Sequence, residues 1–135
     1  MRAPPPDRRG ADFAPLLQAR KVVLAVSGGP DSLALMLLAA RWAATAPAAP
    51  ALCVATVDHG LRPESADEAR QVARWAQERG FAHAILTWDG AKPRRRIQEQ
   101  ARDARYRLLA AHAEAIGADA LATAHHAEDQ AETVL

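Results

Sequence analysis

The chain has 135 residues, the length of one ordinary domain, and half of them are hydrophobic, which is enough for a core. A formal net charge of +1 does not by itself indicate a polyanionic partner, and a single cysteine excludes a disulfide framework and any C-x-x-C metal or redox site. No apolar stretch reaches the ~18 residues of a transmembrane helix, so we expect a cytoplasmic protein without a membrane partner.

Strand and helix signals alternate along the chain. Residues 1–19 hold three consecutive prolines and several charges and predict a disordered tail, so a domain is expected over residues 20–135. Apolar runs predict strands at 22–26, 52–57, 83–88 and 120–124. Periodicity predicts helices at 31–44, 65–79 and 97–116 and a last helix from residue 125 onward. Ser65 and Glu68 form a candidate capping box for the second helix.

These strand–helix pairs favour an α/β fold, in which a parallel sheet carries helices on both faces. Ligands of such sheets bind beyond the carboxyl ends of the strands. Segments 27–32, 58–62 and 125–129 each follow a predicted strand, so we expect them to meet at one edge. The chain stops inside its last predicted helix without a Gly or Pro signal, and we therefore expect a domain truncated at its C-terminal end.

The first of these segments joins a strand to a helix through a tight glycine turn. Its residues are Ser27, Gly28, Gly29, Pro30, Asp31 and Ser32. Glycines allow close backbone approach, and the unpaired N–H groups of a first helical turn attract anions. Asp31 would repel a phosphate unless a divalent cation lay between them, which predicts a nucleotide phosphate with Mg²⁺. The alternative, that Asp31 and Ser32 only cap the helix, leaves the two glycines unexplained.

The glycine turn differs from two common phosphate loops. It lacks the Lys of a Walker A loop and the third Gly of a dinucleotide-binding loop. Its S-G-G-x-D-S pattern instead resembles the PP-loop of the N-type ATP pyrophosphatases. The resemblance implies a Rossmann-like domain of the adenine nucleotide alpha hydrolase type. It also implies cleavage of ATP between its α- and β-phosphates, which gives an adenylated intermediate and pyrophosphate.

The second segment offers Asp58, His59 and Arg62 around a turn at Gly60. A carboxylate, an imidazole and a guanidinium could contact a phosphate or a nucleobase. A polar strand-to-helix turn, with Pro63 near the first helical position, explains the same residues equally well. The residues alone favour neither interpretation.

The third segment places His125 and Asp129 four residues apart, hence on one face of the predicted helix. Together with His126, Glu128 and Glu132 they could bind a divalent cation or position a cationic amine. Acidic residues in a first helical turn also complement the helix dipole. Beside an Asp-bearing phosphate loop, we favour the site.

An arginine cluster occupies residues 94–107. Its members are Arg94, Arg95, Arg96, Arg102, Arg105 and Arg107. Phosphate backbones attract such clusters without sequence reading. A solvated helix face with pairs such as Asp103–Arg107 is the alternative, and for Arg94–Arg96 both interpretations stay open.

Three further motifs, which follow the PP-loop along the chain, make the resemblance more specific. V-D-H-G-L-R-x-E-S at 57–65, A-R-x-x-R-Y at 101–106 and H-H-x-E-D-Q-x-E-T at 125–133 follow the PP-loop and resemble tRNA(Ile)-lysidine synthetases. Glu128 stands where that family usually has Asp. The resemblance implies that ATP adenylates O2 of the wobble cytidine of an isoleucine tRNA with a CAU anticodon. The ε-amine of free L-lysine then attacks C2, and AMP leaves.

The same resemblance implies roles for individual residues. Catalytic roles are implied for Asp31, Arg105, His125 and Asp129, and substrate contacts for His126 and Glu132. ATP contacts are implied for the six residues of the glycine turn and for Asp58, His59 and Arg62. Metal ligands are expected at Asp31, Glu128 and Asp129, and the base that deprotonates lysine at His59, His125 or His126.

Other readings remain alongside the ligase. Another PP-loop enzyme that adenylates its acceptor for thiolation or amidotransfer is one, and a non-catalytic ATP-binding module is the other. Thiolating relatives of this type often carry extra Cys pairs, whereas Cys53 is the single cysteine here. A homodimer is one candidate assembly.

Overall fold

Strands and helices alternate along the part of the chain that the computed structural model describes, residues 13–124 and 131–133. The elements are a 3-10 helix at Ala14–Gln18, β1 at Lys21–Ala25, α1 at Pro30–Thr45, β2 at Ala51–Asp58, α2 at Ser65–Glu78, β3 at Ala82–Thr87, α3 at Ile97–Ala115, β4 at Ala120–Ala124 and β5 at Ala131–Thr133. The four predicted strands and three predicted helices up to residue 124 are all present, and their ends differ from the prediction by at most one residue.

The sheet has the strand order β3-β2-β1-β4-β5. The first four strands are parallel, and β1 lies between β2 and β4, with Val23 opposite Cys53 on one side and Leu121 on the other. A central strand with both neighbours in place and both faces covered is fully removed from water, which is why its sequence is a continuous apolar run. The predicted α/β class with a parallel sheet is confirmed.

The two faces of the sheet carry separate hydrophobic cores because side chains alternate along each strand. Val22 and Leu24 face the 3-10 helix, α1 and α2, whereas Val23 and Ala25 face α3. The first core includes Leu16, Leu35, Met36, Ala39, Val72 and Ala76, and the second includes Cys53, Ala55, Leu109, Ala113 and Leu121. Helices therefore cover both faces, as predicted. None of the described helices is long and apolar enough to span a membrane.

The structure differs from the sequence prediction near the end of the chain. The helix predicted from residue 125 onward is wrong at Ala131–Thr133, which form β5 instead. β5 runs antiparallel to β4, with Ala122 opposite Thr133, so the sheet is not wholly parallel. This pairing satisfies backbone groups along the side of β4 that β1 leaves open. Residues 125–130 lie outside the described residues.

The segment before β1 contributes to the core, although the sequence analysis began the domain at residue 20. Phe13 and Leu16 are buried, and the Phe13 ring stacks on Trp42 at 5.2 Å between centroids. Leu16 is 1% exposed, whereas its neighbour Leu17 is 44% exposed. The 3-10 helix is therefore anchored through one face.

We predict that Leu16→Ala lowers the free energy of unfolding by about 2–5 kcal/mol, since it leaves a cavity beneath the sheet. Leu17→Ala is the matched control and should change it by less than about 0.5 kcal/mol, because that side chain is largely in solvent. Urea denaturation of the two variants measures the difference. Equal effects would mean that the 3-10 helix does not pack as the structure has it.

Candidate active site

A cavity of about 420 Å³ opens at the carboxyl ends of β1 and β2. Its walls come from the end of β1 and the following turn, from Ala55 and Val57 of β2, and from Arg105 and Leu109 of α3. After β1 the chain adds β2 and β3 on one side of it and then returns to add β4 on the other side. The cavity therefore lies at the point where the order of the strands in the sheet changes direction. Such switch points are where open α/β sheets bind ligands.

The turn after β1 depends on one glycine with an unusual backbone. Gly28 has a φ of +96°, which L side chains rarely adopt, and a Cβ there would lie 3.4 Å from Cγ2 of Val72. Gly29, by contrast, has an ordinary extended backbone and is the N-cap of α1, with Pro30 at the first helical position. The N-cap residue itself makes no side-chain cap hydrogen bond, and the Ser32 hydroxyl bonds to the end of β1 rather than to the helix. Capping therefore does not account for Ser32.

Ser32 closes the turn onto the end of β1. Its Oγ accepts a hydrogen bond from the backbone N–H of Ser27 at 2.9 Å and donates to the carbonyl of Ala25 at 3.4 Å. The predicted contact of this hydroxyl with a phosphate is not supported, because its proton is donated within the protein. The Ser27 hydroxyl accepts from Gly29 N–H at 3.4 Å, and no described residue accepts its proton. Ser27 is thus the hydroxyl donor left for a ligand.

Arg105 brings a positive charge to the opposite wall. It lies on α3, four residues before Leu109, and both line the cavity that also contains Asp31. Its Nε is buried, and no described residue accepts a hydrogen bond from it. A buried guanidinium N–H without an acceptor is costly, so this atom points to an acceptor that a ligand would supply.

The loop after β2 is held by its own hydrogen bonds. Oδ1 of Asp58 accepts from the Ser65 hydroxyl at 2.6 Å and from Gly60 N–H at 3.1 Å. Nδ1 of His59 accepts from the backbone N–H of Leu61 at 2.9 Å, which leaves Nε2 to carry the proton of a neutral ring. Gly60 turns the chain with a φ of +67°.

The predicted capping box at α2 does not form. Glu64 is the N-cap and makes no side-chain cap hydrogen bond in the described structure. Ser65 bonds back to Asp58 instead, and Glu68 accepts two hydrogen bonds from Arg62, at 2.6 and 3.1 Å. Glu68 raises the pKa of Arg62 through these hydrogen bonds and its charge.

The structure therefore brings some predicted site residues together and separates others. Ser27, Gly29, Pro30, Asp31, Ser32 and Arg105 line one cavity. Asp58, His59 and Arg62 do not line it and bond to the loop backbone and to α2 instead. Sequence reasoning missed Leu109, which helical spacing from Arg105 could have indicated, and Val57.

The remaining candidates cannot be placed in this way. His125, His126, Glu128 and Asp129 lie outside the described residues, as does the side chain of Glu132, so their roles stay predictions. Within the described part of the chain, no group of three or more His, Cys, Asp and Glu side chains is arranged to hold a metal ion.

The cavity, its glycine turn and the Rossmann-like sheet define a nucleotide-binding α/β domain. The sequence profile of the PP-loop domain family matches residues 7–135, and the chain belongs to this family of ATP-binding domains.

Several curated relatives are tRNA(Ile)-lysidine synthases. The chain is 57% identical over 123 residues to a tRNA(Ile)-lysidine synthase of Bradyrhizobium sp. strain BTAi1, a match that covers 91% of this chain and 34% of the relative. It is 58% identical over 134 residues to that of Methylobacterium sp. strain 4-46, covering 96% of this chain and 38% of the relative. The chain thus spans about a third of the length of these relatives.

A solved structure supports the fold. A U34-tRNA thiolase, NcsA from Methanococcus maripaludis with its [4Fe-4S] cluster, superposes with a TM-score of 0.69 at 21% identity. The match covers 81% of this chain and 39% of the thiolase. At this identity, the likeness concerns the architecture alone.

The two glycines of the turn should differ in how much alanine destabilises the fold. Gly28→Ala is expected to lower the free energy of unfolding by about 1–3 kcal/mol, because its φ is strained for any L side chain. Gly29→Ala should cost less than about 1 kcal/mol, since its backbone is ordinary and only the weaker N-cap preference of alanine counts against it. Thermal and urea denaturation measure both. A Gly28→Ala variant as stable as Gly29→Ala would contradict the turn.

The Asp58–Ser65 contact should matter more than the Arg62–Glu68 pair. Ser65→Ala removes a buried hydrogen bond to a carboxylate and is expected to cost about 1–3 kcal/mol of unfolding free energy. Glu68→Gln breaks an exposed ion pair and should cost less than about 1 kcal/mol. Urea denaturation of both variants would refute this ranking if Glu68→Gln were the more damaging change.

Proposed function

We propose that the cavity binds ATP and that the complete enzyme ligates L-lysine to the wobble cytidine of an isoleucine tRNA with a CAU anticodon. The observation that carries the proposal is the buried Nε–H of Arg105, which lacks an acceptor and lies across the cavity from the glycine turn. A phosphate bound between these walls would meet a guanidinium on one side and helix-terminal amides on the other. The names of the curated relatives support the choice of reaction.

The described residues would contribute to triphosphate binding in different ways. The backbone at Gly28 and Gly29 allows close approach, and Ser27 donates its hydroxyl proton. Ser32 keeps the turn in place through Ser27 and Ala25 rather than touching the ligand. Arg105 stabilises the negative charge that grows as pyrophosphate departs.

Asp31 fits the chemistry of a magnesium site. It is the single carboxylate among the described residues that line the cavity, and Mg²⁺ prefers carboxylate and phosphate oxygens. Bound Mg²⁺ would screen Asp31 from the triphosphate and stabilise the leaving pyrophosphate. Glu128 and Asp129 remain the proposed further ligands.

Lysine must attack as a neutral amine, so a base is needed. His59 is the weakest of the three candidates, because its Nδ1 already accepts a backbone hydrogen bond and its ring lies outside the cavity lining. Taking up a second proton there would break that bond. We therefore favour His125 or His126 as the base.

The cysteine chemistry of tRNA thiolation is not favoured by the described part of the chain. The Cys53 thiol lies within the sheet, donates to the carbonyl of Val22 and does not line the cavity. Burial raises its pKa, which disfavours the reactive thiolate.

The reaction is tested with the complete gene product, ATP labelled at its α-phosphate, Mg²⁺, L-lysine and unmodified isoleucine tRNA. The ligase should release labelled AMP only when both lysine and tRNA are present, whereas with tRNA alone the label should stay on the adenylated RNA. AMP formed with tRNA but without lysine would indicate a different acceptor chemistry. Formation of ADP would refute the proposal, and prolonged retention of intact ATP would indicate a binding module.

The ATP site is tested separately by calorimetry without RNA. Arg105→Gln should weaken ATP binding about 10- to 100-fold, because a charged hydrogen-bond donor is lost. Arg107→Gln is the matched control, two residues along α3 and outside the cavity lining, and should leave ATP affinity unchanged. Equal affinities of the two variants would exclude Arg105 from the ATP site.

A further inference from the structure

The arginine cluster of residues 94–107 divides into two parts in the structure. Arg105 lines the cavity, whereas Arg94, Arg95 and Arg102 are exposed. We infer that these three arginines, here called the arginine patch, form a docking surface for the phosphate backbone of an RNA. The inference rests on the proposed function, since it gives the tRNA substrate a place to bind beside the cavity.

Ion pairing distinguishes the patch from some surface arginines, although Arg41, Arg74 and Arg107 likewise have no carboxylate within 4 Å among the described residues. Arg62 is bonded to Glu68, Arg70 to Asp67, and Arg79 lies 3.9 Å from Glu78. Within residues 13–124, no carboxylate lies within 4 Å of the guanidinium groups of Arg94, Arg95 and Arg102. Three exposed arginines within a span of nine residues, none of them ion-paired within the described part of the chain, create a positive potential that a polyanion would neutralise.

The alternative of a self-compensated helix face loses its main support. The Asp103–Arg107 pair that would neutralise part of α3 is not among the ion pairs of the described residues. Arg96 is the member of the run with a partner, Glu99, at 3.7 Å. Lys92 is already used, since its Nζ donates to the carbonyls of Trp88 and Gly90 and lies 5.0 Å from the centroid of a Trp88 ring.

The patch lies on the same edge of the sheet as the cavity. β3 ends at Thr87 at the carboxyl edge, and α3 begins at Ile97 and runs back across the sheet. Arg102 and Arg105 are three residues apart and therefore share a helix face. From Arg96 to Arg105 the helix advances about 14 Å. An RNA strand held by the patch would thus lie on the same edge of the sheet as the residue that faces ATP.

The backbone that carries the patch is fixed to α3. Gln100 donates its side-chain N–H to the carbonyl of Arg95 at 3.1 Å, and its backbone N–H to that of Arg96 at 2.9 Å. Ordered backbone reduces the entropy lost when arginines engage a ligand. Guanidinium groups also match phosphate oxygens through paired hydrogen bonds, which suits an RNA backbone better than a single ammonium would.

The test compares two triple variants of the complete gene product. Arg94→Gln/Arg95→Gln/Arg102→Gln removes the patch. Arg41→Gln/Arg74→Gln/Arg79→Gln removes the same charge from exposed arginines of α1 and the end of α2, on the opposite face of the sheet. Affinity for an unmodified isoleucine tRNA transcript is measured by fluorescence anisotropy at several salt concentrations.

We expect the patch variant to bind tRNA more weakly and to reduce the slope of log affinity against log salt by about 2–3, at about 0.7–0.9 per lost phosphate contact. The control should keep the wild-type slope. Equal slopes for both variants would overturn the patch, even if the wild type makes lysidine. A patch-dependent slope in a protein that makes no lysidine would instead support the patch and refute the proposed reaction. Competition by polyglutamate as strong as that by RNA would overturn the choice of RNA.

Discussion

The site depends on how β1 ends between two parallel neighbours. Val26 still donates its N–H to the carbonyl of Ala55 at 3.0 Å, as if the strand continued. One residue later the partner changes, because Ser27 N–H bonds to the hydroxyl of Ser32. The positive φ of Gly28 then sends the chain into α1 across the edge of the sheet. Together, the last strand hydrogen bond, the Ser32 hydroxyl and the turn at Gly28 leave the N-terminus of α1 facing the cavity.

The opposite wall follows from packing on the other face. Leu109 and Ala113 lie against Val23 and Leu121, which fixes the rotation of α3 over the central strands. Arg105, one helical turn before Leu109, is then carried to the cavity rim with part of its guanidinium buried. Hydrophobic burial elsewhere on the helix offsets the cost of desolvating that group. A charge held this way needs little reorganisation when a phosphate arrives.

Much of the fold could be predicted because buried parallel strands have a plain signal, a short apolar run between turn residues. Two parts had no such signal. Ala131–Thr133 has no strand pattern, and its pairing depends on the open side of β4, a partner that local sequence does not reveal. Phe13 and Leu16 stand among prolines and charges, yet two buried side chains suffice to anchor a short helix.

The glycine turn of the candidate site could be predicted, because its backbone conformation requires a particular residue type. Hydrogen bonds of side chains with several possible partners were harder to predict. The pattern Ser65-x-x-Glu68 satisfies the local rule for a capping box, but the turn at Gly60 brings Asp58 within 2.6 Å of the Ser65 hydroxyl. A charged acceptor forms the stronger hydrogen bond, so the serine turns to the carboxylate. Asp58 thereby holds the turn through Oδ1, which is no longer the atom of this loop best placed to contact ATP.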